Sequence, residues 1–207
     1  LTNFPEAENA PAVALALGLA HIKVRQFRAA MVDLRNFDGR YPGSPLSLEA
    51  HYQLGIAYMS IPEYPNAIAE FQSVIAKDQE NIFADKSRLK TAQIHFQKKE
   101  YQNSLDTLNR GVTRRSDDLA ADALVMIGDN QAAAKKYRDA LQAYNDVVQQ
   151  YTDFPLQVER ARFGLAKTYE KMNDRKQARL QYQKILESPV DMTVKYESEQ
   201  RLRKLRK

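Results

Sequence analysis

The chain has no cysteine and no tryptophan among its 207 residues, and only seven glycines. Lack of cysteine excludes a disulfide framework, a thiolate metal site and a cysteine nucleophile, and leaves the compartment open. Long apolar runs are missing too. The longest, "APAVALALGLAHI" at residues 10–22, follows Glu6 and Glu8 rather than a basic stretch, and it falls short of the roughly 20 residues a spanning helix needs. It reads as neither signal peptide nor anchor. No G-x-x-x-x-G-K-S/T, G-x-G-x-x-G, G-x-S-x-G or H-E-x-x-H pattern occurs, which removes the common phosphate-cradling, nucleophile-elbow and zinc-hydrolase motifs.

A broad positive face is also absent, despite a formal net charge of +5. Residues 1–200 hold equal numbers of basic and acidic side chains, and Arg201, Arg203, Lys204, Arg206 and Lys207 supply the whole excess. A neutral body with a short basic tail offers no track for a phosphate backbone, so nucleic acid is not an expected partner.

What the sequence does contain is a period. In "AHYQLGIAYMSIPEYPNAIAEFQSVI", residues 50–75, one helix cannot run through Pro62 and Pro65, because proline removes a backbone donor and clashes with the preceding turn. Two helices joined by a turn can. The same order of residue types occurs five times. The small residue after a Leu-like position stands at Gly18, Gly55, Ala92, Gly128 and Ala166, with steps of 37, 37, 36 and 38. His21, Tyr58, His95, Gln131 and Tyr169 follow three residues later. The small residues Ala30, Ala67, Ser104, Ala140 and Ala178 come next, and four residues beyond them the large Leu34, Phe71, Leu108, Tyr144 and Tyr182. An aromatic residue marks the turn at Phe27, Tyr64, Tyr101 and Tyr137, a series that Arg175 breaks. Such spacing predicts two amphipathic helices per unit, with small residues letting the backbones approach where the helices cross. One pair buries little alone, so neighbouring pairs must stack.

The order Leu54-Gly55, Tyr58, Tyr64, Ala67, Phe71 resembles the tetratricopeptide repeat, and the resemblance extends from about residue 10 to 187. It implies an all-α fold, a right-handed α-α superhelix of about five helix-turn-helix units at about 10–42, 45–81, 84–116, 118–151 and 155–187. A capping helix with a basic tail is expected at 190–207, carrying Val194, Leu202 and Leu205 on one stripe. The period exceeds the family's usual length in connections such as "RYPGSPLSLEA", where Ser44 is expected to cap and Pro45 to open the next helix. Connections of this style resemble bacterial envelope repeats of the Tol-Pal-associated and barrel-assembly lipoprotein type, which points to the periplasm or outer membrane and leaves the cytoplasm open. Residues 1–9 look like the end of a preceding repeat or a linker, since Pro5 precedes Leu17 by the same interval as Pro42 precedes Leu54. The chain therefore reads as a fragment of a longer protein whose first helix is covered by something in the parent.

Nothing here assembles into a catalytic or metal-binding constellation. His21, His51 and His95 fall on framework positions and read as core or groove-edge residues. Asp117 and Asp118 read as the start of a helix after Ser116. The expected function is a non-catalytic scaffold without cofactor or metal, binding a protein or peptide along the first helices of its units. Counting from the small residue on the helical period, the inward positions are Leu15, Leu19 and Ile22; Tyr52, Ile56 and Met59; Leu89, Gln93 and Phe96; Val125, Asp129 and Ala132; and Phe163, Lys167 and Glu170. This row is apolar toward the N-terminus and charged toward the C-terminus, which suits an extended or helical peptide with an apolar end. It lacks the asparagines of the family's carboxylate-gripping groove. A structural or self-assembly role in a bacterial envelope complex, with weak self-association through the N-terminal helix pair, is the alternative.

Overall fold

A computed structural model describes residues 9–111 and 117–205. Among them are twelve helices: α1 (Ala10–Lys23), α2 (Phe27–Leu34), α3 (Phe37–Arg40), α4 (Ser47–Ser60), α5 (Tyr64–Lys77), α6 (Ile82–Gln97), α7 (Tyr101–Asn109), α8 (Asp118–Ala133), α9 (Tyr137–Gln150), α10 (Pro155–Lys171), α11 (Arg175–Glu187) and α12 (Met192–Leu205). No described residue is in a strand, so the fold is all-α, built from helix pairs. None of the helices is long and apolar enough to cross a membrane. The chain divides into two compact units, Leu1–Ile94 and His95–Lys207, with the division inside α6. Phe4-Pro5, Ser116, Arg206 and Lys207 lie outside the described residues.

Each helix pair is turned by the same backbone device. The N–H of Gln26 donates to the His21 carbonyl, Glu63 to Tyr58, Glu100 to His95, Lys136 to Gln131 and Asp174 to Tyr169, all at 2.8–3.0 Å. Just before these donors, Arg25, Lys99, Lys135 and Asn173 each adopt φ 62°. This left-handed residue and the bond reaching back five positions form a Schellman stop, which satisfies carbonyls the ending helix would otherwise orphan. Pro65 and Pro155 sit in the first turns of α5 and α10, where a missing N–H costs nothing. Asp117 caps α8, its side chain accepting from the Ala120 N–H at 3.1 Å.

The expectation for α4 needs correction. Ser44 Oγ accepts from the Leu46 N–H at 3.3 Å and the Ser47 N–H donates to the Ser44 carbonyl at 3.1 Å. Ser44 and Pro45 therefore belong to a turn that precedes the helix, and α4 begins at Ser47 with Leu46 as its N-cap. The Ser47 hydroxyl points instead to Asp38, at 2.5 Å.

Helix crossings use the glycines where a side chain has no room. A Cβ at Gly18 would lie 2.6 Å from Leu34, and one at Gly55 2.5 Å from the Phe71 ring. In the second unit the Tyr144 ring is held between two glycines, with a Cβ at Gly128 or Gly164 reaching it at 2.5 Å. Tyr144 thus packs both its own helix pair and the next.

A second stripe on each later first helix is buried. In α4 it is Ala50, Leu54 and Ala57, and in α6 it is Ser87, Thr91 and Ile94. The second unit repeats it as Ala123, Ile127 and Asn130 in α8, Ala161, Leu165 and Thr168 in α10, and Ser198 and Leu202 in α12, all buried. Leu202 follows Leu165 by 37 residues, so α12 continues the register of the repeats. It seats Leu202 against Tyr182 and Ile185, with Val194 and Leu205 beside it. In α1 the same register falls on Val13, Leu17 and Ala20, and no described helix covers it: Leu17 is 37% exposed, Ala20 is exposed and Val13 is half-buried.

Candidate functional site

The predicted inward positions separate by depth. In the first unit Leu15 is only 5% exposed and belongs to the core, so it supports the row rather than presenting a surface. Leu19, Ile22, Tyr52, Ile56 and Met59 are half-buried and pack on that core with their outer sides free. The Tyr52 ring lies 5.9 Å from that of Phe71 and 5.6 Å from that of Phe83, a fixed aromatic wall. Burial raises the pKa of its hydroxyl. Leu89 and Gln93 continue on α6 as half-buried residues.

The second unit presents a polar version. Phe96 is half-buried, 5.7 Å from Tyr101. Val125 is buried and Ala132 half-buried. Asp129 is open to solvent, and desolvation leads in raising its pKa. The Tyr144 hydroxyl donates to Asp129 Oδ1 at 2.7 Å. Burial first, then that carboxylate, pushes the Tyr144 hydroxyl far above the usual phenol range. Further along, Tyr182 donates to Glu170. Arg201 Nη1 lies 3.4 Å from both Glu170 carboxylate oxygens. Lys167 stands exposed, its Nζ 5.3 Å from the centre of the Phe163 ring, and the Arg201 guanidinium carbon approaches the same ring at 5.9 Å. Two cations around one ring is a cation–π arrangement.

The histidines pair with carboxylates at the edges of helix pairs. His21 Nδ1 is 2.6 Å from Asp33 and His95 Nδ1 2.7 Å from Glu100. His51 joins two acids, Glu70 at 2.6 Å and Asp38 at 2.9 Å, and Lys77 also pairs with Asp38. The hydrogen bond from Glu70 leads in raising the His51 pKa. No group of three or more histidine and carboxylate side chains among the described residues is arranged to hold a metal ion.

Several features escaped the sequence reading: the second glycine against Tyr144, the continuation of the register into α12, and the Tyr144–Asp129 pair. Each had a trace. Leu202 stands one period after Leu165, and Tyr144 follows Asp129 by the interval at which Phe71 follows Ile56.

Helix pairs that repeat with small residues at their crossings define the class, a helical-repeat protein. The tetratricopeptide repeat-like domain family matches residues 21–158, and a tetratricopeptide repeat matches residues 160–188. The chain belongs to the tetratricopeptide repeat-like family, whose repeats typically serve as protein-interaction scaffolds rather than catalysts. No curated protein matches it. Solved structures share the fold at low identity. A tetratricopeptide repeat protein from Parabacteroides merdae aligns with TM-score 0.73 and 17% identity over 95% of this chain and 73% of its own. PilF of Pseudomonas aeruginosa aligns at 0.70 and 16% over 96% and 89%. MamA from Desulfovibrio magneticus RS-1 aligns at 0.68 and 17% over 86% and 94%.

Proposed function

We propose that this protein is a non-catalytic scaffold that binds a protein segment along the inner face of its first helices, and that the first unit supplies the main contact. The observation that carries this reading is the row Leu19, Ile22, Tyr52, Ile56 and Met59, five large apolar side chains left half-buried on one face. Contiguous apolar surface on a folded chain marks an interaction site, and a rigid aromatic such as Tyr52 is a typical anchor. The bound segment is an extended or helical peptide that offers apolar side chains to this row. Affinity capture from a native extract tests it, comparing the chain with a Tyr52→Glu/Ile56→Lys variant whose helicity is verified by circular dichroism. A partner held by the parent chain and lost by the variant is the expected result; equal capture by both would remove the groove.

A second reading rests on a separate observation, the stripe Val13, Leu17 and Ala20 on α1, which no described helix covers. In α4, α8, α10 and α12 the same register is buried. A second copy would offer its own α1, and the two stripes would meet about a two-fold axis. Concentration-dependent dimerisation in sedimentation, abolished by Leu17→Glu/Ala20→Glu with helicity unchanged, is expected; a monomer at every concentration would contradict it.

A further inference from the structure

The helices α10, α11 and α12 enclose an open cleft of about 320 Å³, large enough for two or three side chains. Arg175, Arg201 and Lys204 line it together with Glu170, Glu197 and Tyr196. These charges are not equally free. Glu170 is engaged by the Tyr182 hydroxyl and by Arg201, so its charge is largely answered from within the protein. Arg175 and Lys204 are exposed and make no ion pair among the described residues. Arg201 holds Glu170 only at 3.4 Å, with its guanidinium over Phe163, leaving donors of its planar fork unsatisfied. Tyr196, 62% exposed on the rim, adds an aromatic surface that nothing in the fold uses.

We infer that this cleft is a second binding site, and that it takes an acidic peptide segment in which carboxylate side chains flank an aromatic or aliphatic residue. Carboxylates would bridge Arg201, Lys204 and Arg175, where charge-assisted bonds to a guanidinium are strongest, while the apolar residue packs on Tyr196. A peptide fits better than a continuous polyanion. Glu170 and Glu197 interrupt the positive lining, so discrete carboxylates can avoid them and an evenly spaced phosphate chain cannot. The concave shape likewise favours a strand of side chains over a flat lipid surface. The site does not depend on the apolar row of the first unit.

Fluorescence polarisation on the full chain tests this with a labelled peptide alternating glutamate and phenylalanine and its glutamine counterpart. The acidic peptide should bind at least tenfold more tightly, and Arg175→Glu/Lys204→Glu should remove that advantage. Both substituted side chains are exposed and unpaired, so the melting temperature should not move. Tyr52→Glu/Ile56→Lys should leave acidic-peptide binding intact, which separates this site from the groove. Equal binding of the two peptides, loss of binding in the groove variant instead, or tighter binding to phosphatidylserine vesicles or duplex DNA than to the peptide would each overturn the assignment.

Discussion

At the helix crossing of the first unit the Phe71 ring covers Gly55, and the inner-face residue fifteen positions earlier is Ile56; in the second unit Tyr144 covers Gly128, and the residue fifteen positions earlier is Asp129. Exchanging phenylalanine for tyrosine puts a hydroxyl into a packed crossing, where a buried donor must find an acceptor. Asp129 supplies it from the inner face, and Glu170 does the same for Tyr182. A packing choice at the crossing thereby sets the chemistry of the surface: apolar above Phe71, acidic above Tyr144. The framework and the face are therefore coupled, although the repeat pattern alone would treat them as independent.

The largest expected effect separates buried from uncovered copies of one stripe. Leu54→Ala should cost about 2–5 kcal/mol because it opens a cavity in the core. Leu17→Ala, at the matching position on α1, should cost less than about 0.5 kcal/mol. Denaturant melts of the two variants check this, and equal costs would mean that α1 is covered after all. Next comes the crossing itself. Gly55→Leu should destabilise by about 1–3 kcal/mol or more through overpacking against Phe71, read from the same melts; a change within about half a kcal/mol would place Gly55 away from the crossing.

Coupling of ring and acid is testable at smaller scale. Tyr144→Phe should cost about 1 kcal/mol, at the lower end for a hydrogen bond to a charged group because Asp129 is open to solvent. Combining it with Asp129→Ile, which copies the first unit's pairing, should recover part of that loss in a double-mutant cycle. Strict additivity would show that the two positions are independent.

The smallest effect is a pH dependence confined to the first unit. His51 has a pKa raised above its ordinary 6.5, chiefly by Glu70. Its protonated form is favoured by folding, so its contribution is full below pH 6.5 and fades as the pH rises through the folded value. The facing charges are Glu70 and Lys77 from α5 and Asp38 from α3, and Lys77 opposes the shift. Asp38 runs the other way. Its pKa is lowered by Lys77, Ser47 and His51 against desolvation, the largest single influence, and its contribution is lost only in acid. Melting temperature should therefore fall between pH 6 and 8 in the parent chain, and fall less in His51→Gln. Parallel pH profiles would contradict the assignment.

Periodicity made the helix pairs legible because each framework residue has a fixed geometric job: small at Gly18, Gly55 and Gly128, large at Leu34, Phe71 and Tyr144. That Tyr52, Ile56 and Met59 share one helical face was legible too, whatever the tertiary packing. Depth was not. Leu15 sinks into the core while Leu19, four residues on, stays half-buried, a difference set by neighbouring helices rather than by residue type. The cleft beside α12 was hidden for a similar reason. Arg201 and Lys204 read as an undivided basic tail until α12 is laid against α10 and α11, which brings Glu170 and Arg175 beside them.

Site-specific photo-crosslinking in a native extract decides between the two surfaces, with a photoreactive residue placed in turn at Ile56 on α4 and at Leu17 on α1. An adduct with a different protein from position 56, lost when Tyr52→Glu is added, is the expected result. Adducts from position 17 alone, joining two copies of the chain, would contradict the groove and establish the α1 stripe as the working surface.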